Sequence, residues 1–219
     1  MPEGPDGSGV RRRSVLAALA LAAPVAAAAG CSEAGPAAPE PGPPPGRDAL
    51  VMVIRPAERP YAGATGQDAD GEEDPGSLAA RGWRRAEALP RLFPPSPHAP
   101  LPRPGAVFAV ADEGRRAGAH RARQTVGPLA AALELTVRAD LGPGQESRLA
   151  AAALAAGAPV LICWEHTGVP ALVRGLGADG VLGVPAGWPD RYDLVWVFSR
   201  RAGRWSFREL PQHLLPGDA

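Results

Sequence analysis

Apolar runs of strand length alternate with segments of helical periodicity along most of this chain, and this alternation limits the fold more than any other feature. The runs at 49–55, 106–110 and 159–164 are almost continuously apolar. A strand that is apolar on both faces is typical of a parallel sheet covered by helices on both sides. The sequence therefore predicts an α/β fold, a three-layer αβα sandwich with a mainly parallel central sheet.

The segments between these runs predict the remaining elements. Ser77 is expected to cap a helix that ends at Leu89 or Phe93, with the charged side chains from Arg81 to Glu87 facing water. The stretch 56–76 is expected to be a loop with a solvated acidic segment. Further helices are predicted at 121–133, 146–156 and 169–176, a strand at 135–138, and an antiparallel pair at 193–199 and 205–210.

Length and composition indicate one folded domain with extended ends. The chain has 219 residues, of which 45% are hydrophobic, enough for a single core. Its 23 basic and 23 acidic residues balance, so the net charge does not predict binding to nucleic acid. We expect a disordered, Pro-rich linker at 32–47, the domain at 48–210 and a short tail at 211–219. No spacing of residues predicts a cofactor or a metal.

The first 31 residues resemble an export signal. Three arginines, 11–13, precede an apolar run at 15–29 that is short for a membrane span, as in a twin-arginine signal. The run leads to Cys31, as in the lipobox of bacterial lipoproteins, whose cysteine is lipidated. Lipidation of Cys31 predicts an anchor to a membrane of the cell envelope. Cleavage at the small residues 27–29 predicts a secreted protein instead, and both alternatives stay open.

Charged residues follow two of the predicted parallel strands, at the edge where α/β sheets bind ligands. Arg55 and Glu58 follow the first strand, and Glu165 and His166 follow the strand at 159–164. Guanidinium and imidazolium groups that meet at this edge can bind a phosphate-like dianion. The alternative is that Arg55 pairs with a carboxylate and His166 caps a helix, without any ligand.

Several segments, in the same order along the chain, resemble motifs of the histidine phosphatase superfamily, the phosphoglycerate-mutase-like proteins. Arg55-Pro56-Ala57-Glu58 resembles the family's Arg-His-x-Glu motif, and Arg121-Ala122-Arg123-Gln124-Thr125 resembles its Arg-Ala-x-Gln-Thr segment. The helix at 77–86, the strand and turn at 160–170 and the late strand at 188–198 are similar to further family segments. The resemblance implies the fold of a phosphoric monoester hydrolase.

The same resemblance implies roles for individual residues. Arg55, Arg121 and His166 are expected to bind phosphate, with His166 as the family's second catalytic histidine. Pro56 stands where the family has its nucleophilic histidine, and proline cannot accept a phosphoryl group or donate an N–H. We therefore expect an impaired enzyme, a pseudoenzyme. The general acid is not identified, and Glu146 and Glu165 are the candidates.

The other histidines and Cys163 are expected to have structural roles. His120 precedes Arg121 and would need in-line geometry to replace the missing nucleophile. His98 and His213 are expected at the surface. Cys163 lies in an apolar run and is predicted to be a buried small hydrophobe rather than a reactive thiol.

The sequence therefore leaves three alternative functions open. The first is a pseudoenzyme that binds a phosphorylated small molecule or another phosphate-like anion. The second is a weak phosphomonoester hydrolase in which His166 or a glutamate activates water. The third is a lipoprotein of the envelope whose domain serves only as an interaction module.

Overall fold

The computed structural model describes residues 47–63, 65–96, 98–112, 120–157 and 159–219. The predicted export signal, Cys31 and nearly all of the predicted linker lie outside the described residues. The strands are β1 (Ala49–Ile54), β2 (Gly66–Gln67), β3 (Leu78–Ala79), β4 (Ala106–Ala109), β5 (Val137–Arg138), β6 (Val160–Cys163), β7 (Leu194–Arg201) and β8 (Arg204–Pro211). The helices are α1 (Ala80–Ala88), α2 (Arg121–Ala132), α3 (Glu146–Ala155) and α4 (Val169–Leu176), and the short 3-10 helix Leu89–Leu92 follows α1.

Six strands form one mainly parallel sheet in the order β5-β4-β6-β1-β7-β8. The first four of these strands run parallel, β7 is antiparallel to β1, and β8 is antiparallel to β7. Helix α1 packs against α2, and α3 packs against α4. This three-layer α/β arrangement confirms the fold class that the apolar runs predict.

Burial explains why the central strands are so strongly encoded. Every residue of β4 and β6, and every residue of β1 from Val51 on, is buried. A strand covered on both faces must be apolar at every position, because a polar side chain there would lose its contact with water. At the other edge, Ala202 and Gly203 have φ values of 47° and 78°. They form the two-residue turn between β7 and β8 that suits the twist of a hairpin.

The loop after β1 is more ordered than expected, and α1 starts later than predicted. Ser77 does not cap α1, which begins at Ala80. The two residues after Ser77 pair with Gly66–Gln67 as a small antiparallel sheet. The Ser77 hydroxyl instead donates to Asp74 and accepts a hydrogen bond from Gln124. Helix propensity cannot predict the late start of α1, because the strand that pairs with Leu78–Ala79 lies earlier in the chain, at Gly66–Gln67.

The expectation that all charges of α1 face water is wrong for Arg85, which is only 3% exposed. Its guanidinium donates to Glu58 at 2.7 Å and to Asp218 at 2.8 Å. Arg81 donates to the same two carboxylates, both at 3.1 Å. We call these four residues the ion-pair network. An amphipathic pattern does not reveal such a charge, because its partners come from distant parts of the chain.

The last nine residues, 211–219, were expected to form a short tail, but they pack against the domain. Asp218 accepts hydrogen bonds from the backbone N–H groups of Leu214 and Leu215 as well as from α1. The side chain of Gln212 is buried and donates to the Leu194 carbonyl. Residues 211–219 therefore fold back and complete the packing around α1. No helix in the described part of the chain is long and apolar enough to cross a bilayer.

Candidate functional site

The register of the parallel sheet places two strand ends side by side. Ile54, the last residue of β1, pairs with Cys163, the last residue of β6. The backbone N–H of Trp164 continues the pairing and donates to the Ile54 carbonyl at 3.0 Å. Arg55 and the Glu165–His166 pair therefore emerge from neighbouring strands at the carboxyl edge of the sheet, the edge at which ligands bind in such folds.

A cavity of about 120 Å³ opens at this edge, and we call it the arginine cavity. Its lining consists of Arg55, Arg59, Arg121, Glu165, His166 and Tyr192, together with the backbone turn Pro56–Ala57. The structure thus brings together the three residues proposed to bind phosphate, the proline at the nucleophile position and one of the two candidate acids.

Arg55 is a buried lining residue of the cavity and contacts three other residues. It is 7% exposed, and its guanidinium carbon lies 4.1 Å from the centre of the Tyr192 ring. Stacking on an aromatic face stabilises a cation in this position. Its Nη1 also donates to Asp190 Oδ1 and to the Arg191 carbonyl, both at the long distance of 3.4 Å. These two contacts leave room for a stronger acceptor.

Arg59 and Arg121 are the less satisfied cations. Within the described residues, neither side chain donates a hydrogen bond to another residue. Partial burial lowers the pKa of the Arg121 guanidinium, and the positive charge of Arg59 lowers it further; Glu165 and Tyr192 oppose this, and Arg55 adds a smaller lowering. Positive charge is therefore concentrated here beyond what the described residues neutralise.

His166 experiences the same excess of positive charge. Partial burial lowers its pKa below the ordinary value of 6.5, and the charges of Arg55 and Arg59 add to this. Glu165 and Asp190 raise its pKa, but by less. In the free protein the imidazole is therefore harder to protonate than an ordinary histidine, and a bound anion would favour its protonation.

The segment that contains Arg121 also fastens the loops around the cavity. Thr125 Oγ1 accepts a hydrogen bond from the Ala57 N–H at 2.8 Å and donates to the Arg121 carbonyl at 2.7 Å. Gln124 accepts from the Leu78 N–H at 3.0 Å. The last two residues of the Arg-Ala-x-Gln-Thr segment thus tie the turn after β1 and the strand before α1 to the start of α2, and they fix where Arg121 lies.

Two acidic residues expected near the cavity lie elsewhere. Glu58 was expected at the same edge, but its carboxylate turns away and binds Arg85 in the ion-pair network. Glu146 is buried at the start of α3, where it accepts hydrogen bonds from Trp164 Nε1 at 3.2 Å and from the Gly144 N–H at 3.1 Å. These contacts give Glu146 a structural role, so Glu165 is the candidate acid that lines the cavity.

The remaining histidines and the cysteine do not line the arginine cavity. The Nδ1 of His120 lies 2.7 Å from Asp112 Oδ2, which orients the ring at the start of α2. His98 and His213 are exposed, as expected. Cys163 is free and fully buried, and this burial raises the pKa of its thiol, which confirms the prediction of a small core residue.

Sequence reasoning missed Arg59 and Tyr192. Arg59 stands in the same loop as Arg55, so its position was a usable indication, although the family motif did not include it. Tyr192 reaches the site only because β7 runs antiparallel to β1 and therefore begins at the edge where β1 ends. Across the described ranges, no group of three or more His, Cys, Asp and Glu side chains is placed to hold a metal ion.

Comparisons with known proteins add little to this geometry. No protein-family model matches the chain, and no curated protein matches it. One similar solved structure is "Mycobacterial hydrolase 1", with a TM-score of 0.41 and 16% sequence identity over 79% of this chain and 100% of that chain. A similarity of this size says nothing about substrate or mechanism.

Proposed function

We propose that this protein binds a phosphate-like anion in the arginine cavity and that it is a catalytically impaired relative of the histidine phosphatases. The observation that carries the proposal is the convergence of Arg55, Arg59, Arg121 and His166 on one small cavity. These side chains come from three separate parts of the chain. Their shared position favours a common ligand over unrelated structural roles.

Electrostatics supports an anion as that ligand. Burial lowers the pKa of Arg121 and of His166, and the positive charge of the neighbouring Arg55 and Arg59 lowers both further. A dianion would offset this positive charge and receive hydrogen bonds from guanidinium groups, which bind phosphate oxygens in pairs. Helix α2 begins at Arg121, so its positive dipole end adds to the attraction.

Impaired catalysis follows from the residue at position 56. Pro56 lines the cavity where the resemblance implies a phosphoacceptor, and its ring offers no nucleophile. Cys163 is buried and His120 is bound to Asp112, so neither lines the cavity as a substitute. Binding without turnover is the outcome we infer, in a protein that the sequence predicts to be exported and either tethered to a membrane through Cys31 or secreted.

Calorimetric titration with sulfate and vanadate tests the binding. We expect binding to the wild-type protein and a loss of about ten- to a hundredfold in affinity for Arg121→Ala, because a hydrogen bond to a charged group contributes about 1.5–3 kcal/mol. Arg123→Ala is the matched control, since Arg123 is exposed on the same helix and does not line the cavity. Absence of binding, or equal binding by Arg121→Ala, would contradict the proposal.

Restoring the nucleophile tests the impairment. Pro56→His should gain hydrolysis of an aryl phosphate and trap a phosphorylated histidine if the cavity otherwise matches that of the family. A folded Pro56→His protein that binds sulfate but never becomes phosphorylated would argue against kinship in function. Hydrolysis by the wild-type protein that is lost in His166→Ala would instead favour the weak hydrolase, with Glu165 or His166 activating water.

A further inference from the structure

Two carboxylates lie beside the cations of the arginine cavity, and their presence bears on the charge of the ligand. Asp190 is the clearest case. Its side chain is fully exposed, yet its Oδ1 lies 3.4 Å from the Nη1 of buried Arg55. Glu165 lines the cavity itself. A carboxylate beside the site repels a simple anion and attracts a cationic group, so these two carboxylates favour a ligand that carries both charges.

The charges of the site point in the same direction. Among the described residues, three guanidinium groups lie beside the carboxylates of Glu165 and Asp190, so the site presents both signs of charge. A phosphoryl dianion alone would pair with the guanidinium groups and leave the carboxylates without a cationic partner from the ligand. A ligand that carries both a phosphoryl dianion and one cationic group presents each sign of charge to its opposite, which is the arrangement that electrostatic complementarity favours.

Asp190 has the capacity to receive such a cation. In the described part of the chain its carboxylate accepts a hydrogen bond only from Arg55, and this bond is long. A carboxylate offers about four acceptor positions on two oxygens, so a second donor can be accommodated without breaking the first contact. The complete exposure of the side chain keeps these positions accessible beside Arg55, which lines the cavity.

We propose that the ligand is a small phosphoester whose alcohol part carries an ammonium group, and that Asp190 is the residue that selects it. The arginines hold the phosphoryl group, and Asp190 accepts hydrogen bonds from the ammonium group beside Arg55. This inference rests on the proposed anion site. It goes beyond that site by naming the chemical class of the ligand and the residue that distinguishes it.

The test compares two esters that differ in charge but hardly in size, phosphoethanolamine and n-propyl phosphate, with sulfate as a reference. Dissociation constants are measured by calorimetry at neutral pH. The wild-type protein should prefer phosphoethanolamine by about three- to fivefold, the range expected of an ion pair open to solvent. In Asp190→Asn the preference should fall to about one, since the amide no longer attracts the ammonium group.

The control and the contrary outcomes separate this inference from the proposed function. Asp179→Asn removes an exposed carboxylate that does not line the cavity, and it should keep the wild-type preference. Equal affinity for the two esters, tighter binding of n-propyl phosphate, or a preference that survives in Asp190→Asn would overturn the role of Asp190 while leaving the anion site intact. Failure of the wild-type protein to bind either ester or sulfate would overturn both.

Discussion

Two clusters of arginines adjoin the turn after β1, and they differ in how far they are neutralised. In the ion-pair network, Arg81 and Arg85 share the carboxylates of Glu58 and Asp218 at 2.7–3.1 Å. In the arginine cavity, the contact between Arg55 and Asp190 is the long one, at 3.4 Å. Both clusters draw on the same short stretch, 55–59, of which Glu58 faces the network and Arg55 and Arg59 face the cavity.

This difference in charge pairing indicates different roles for the two clusters. A buried arginine must be paired, because an uncompensated buried charge costs several kcal/mol. Arg85 satisfies this rule, and its pKa is raised because the hydrogen bonds and charges of Asp218 and Glu58 outweigh its burial. Arg121 has a lowered pKa and no comparable partner among the described residues. The network therefore serves stability, and the cavity leaves its cations available for the anion that we propose.

The largest effect is expected from removal of Arg85, which tests whether the ion-pair network stabilises the fold. Arg85→Ala leaves two buried carboxylates with only Arg81 between them, so we expect a loss of about 3–5 kcal/mol in the free energy of unfolding, measured by urea denaturation. Arg84→Ala is the control on the same helix, and since Arg84 is exposed its effect should stay within about 0.5 kcal/mol. Equal effects of the two substitutions would show that the network does not stabilise the fold.

Anion-dependent stabilisation should depend on the cavity and not on the network. Sulfate at about 100 times its dissociation constant should stabilise the wild-type protein by about 2.7 kcal/mol, because only the folded state binds it. Arg121→Ala should lose about half of this gain or more, whereas Arg123→Ala should keep it. Thermal unfolding with and without sulfate measures both. A similar gain in Arg121→Ala would show that sulfate acts elsewhere on the surface.

Acid should weaken the network by a smaller amount than removal of Arg85, since protonation of Asp218 removes one charge and leaves the Arg85 side chain in place. Burial opposes ionisation of Asp218, but hydrogen bonds from Arg85, Leu215 and Leu214 outweigh it and lower the pKa to about 2. A depressed carboxyl pKa stabilises the folded state above the unfolded value of 3.8. This contribution is lost as the pH falls from there toward 2.

Unfolding measured across this range should therefore show a smaller pH dependence in Asp218→Asn than in the wild-type protein. The asparagine keeps much of the shape of the side chain and cannot titrate. An identical pH dependence of the two proteins would mean that Asp218 is not ionised in the folded state with the lowered pKa that its contacts imply.

The smallest effect concerns His166 and the pH dependence of binding. A bound anion raises the lowered pKa of His166, so binding takes up a proton and the affinity for sulfate should rise as the pH falls below 6.5. One proton limits this rise to tenfold per pH unit at most. The measurement belongs above about pH 5, where carboxylates stay ionised. His166→Gln should flatten the profile, and an unchanged profile would exclude this linkage.

The parts of the fold that could be predicted are those with a local cause. Helix α4 has the predicted bounds, Val169–Leu176, because its apolar periodicity and the glycine that follows it both lie in the local sequence. The buried strands β4 and β6 differ from expectation by one or two residues at their ends. Burial on both faces leaves such a strand little freedom in composition, and its sequence is correspondingly clear.

The parts that could not be predicted depend on distant partners. Ser77 looks like a helix cap, but Asp74 and Gln124 bind its hydroxyl. Glu146 looks like a candidate acid, but Trp164 donates to it in the interior. The grouping of Arg55, Arg121 and His166 was anticipated from strand ends and from the resemblance. The contributions of Arg59 and Tyr192 became visible only once the cavity was defined.

The sequence by itself determined that the chain forms an α/β sheet, that arginines and a histidine follow its strands, and that residue 56 is a proline without nucleophilic chemistry. These properties are local, since they depend on periodicity and on residue type. Only the tertiary structure decided which arginines are neutralised and which remain available, as Asp218 reaches α1 from the far end of the chain. Charge pairing is set by distance in space, and the order of residues along the chain does not specify it.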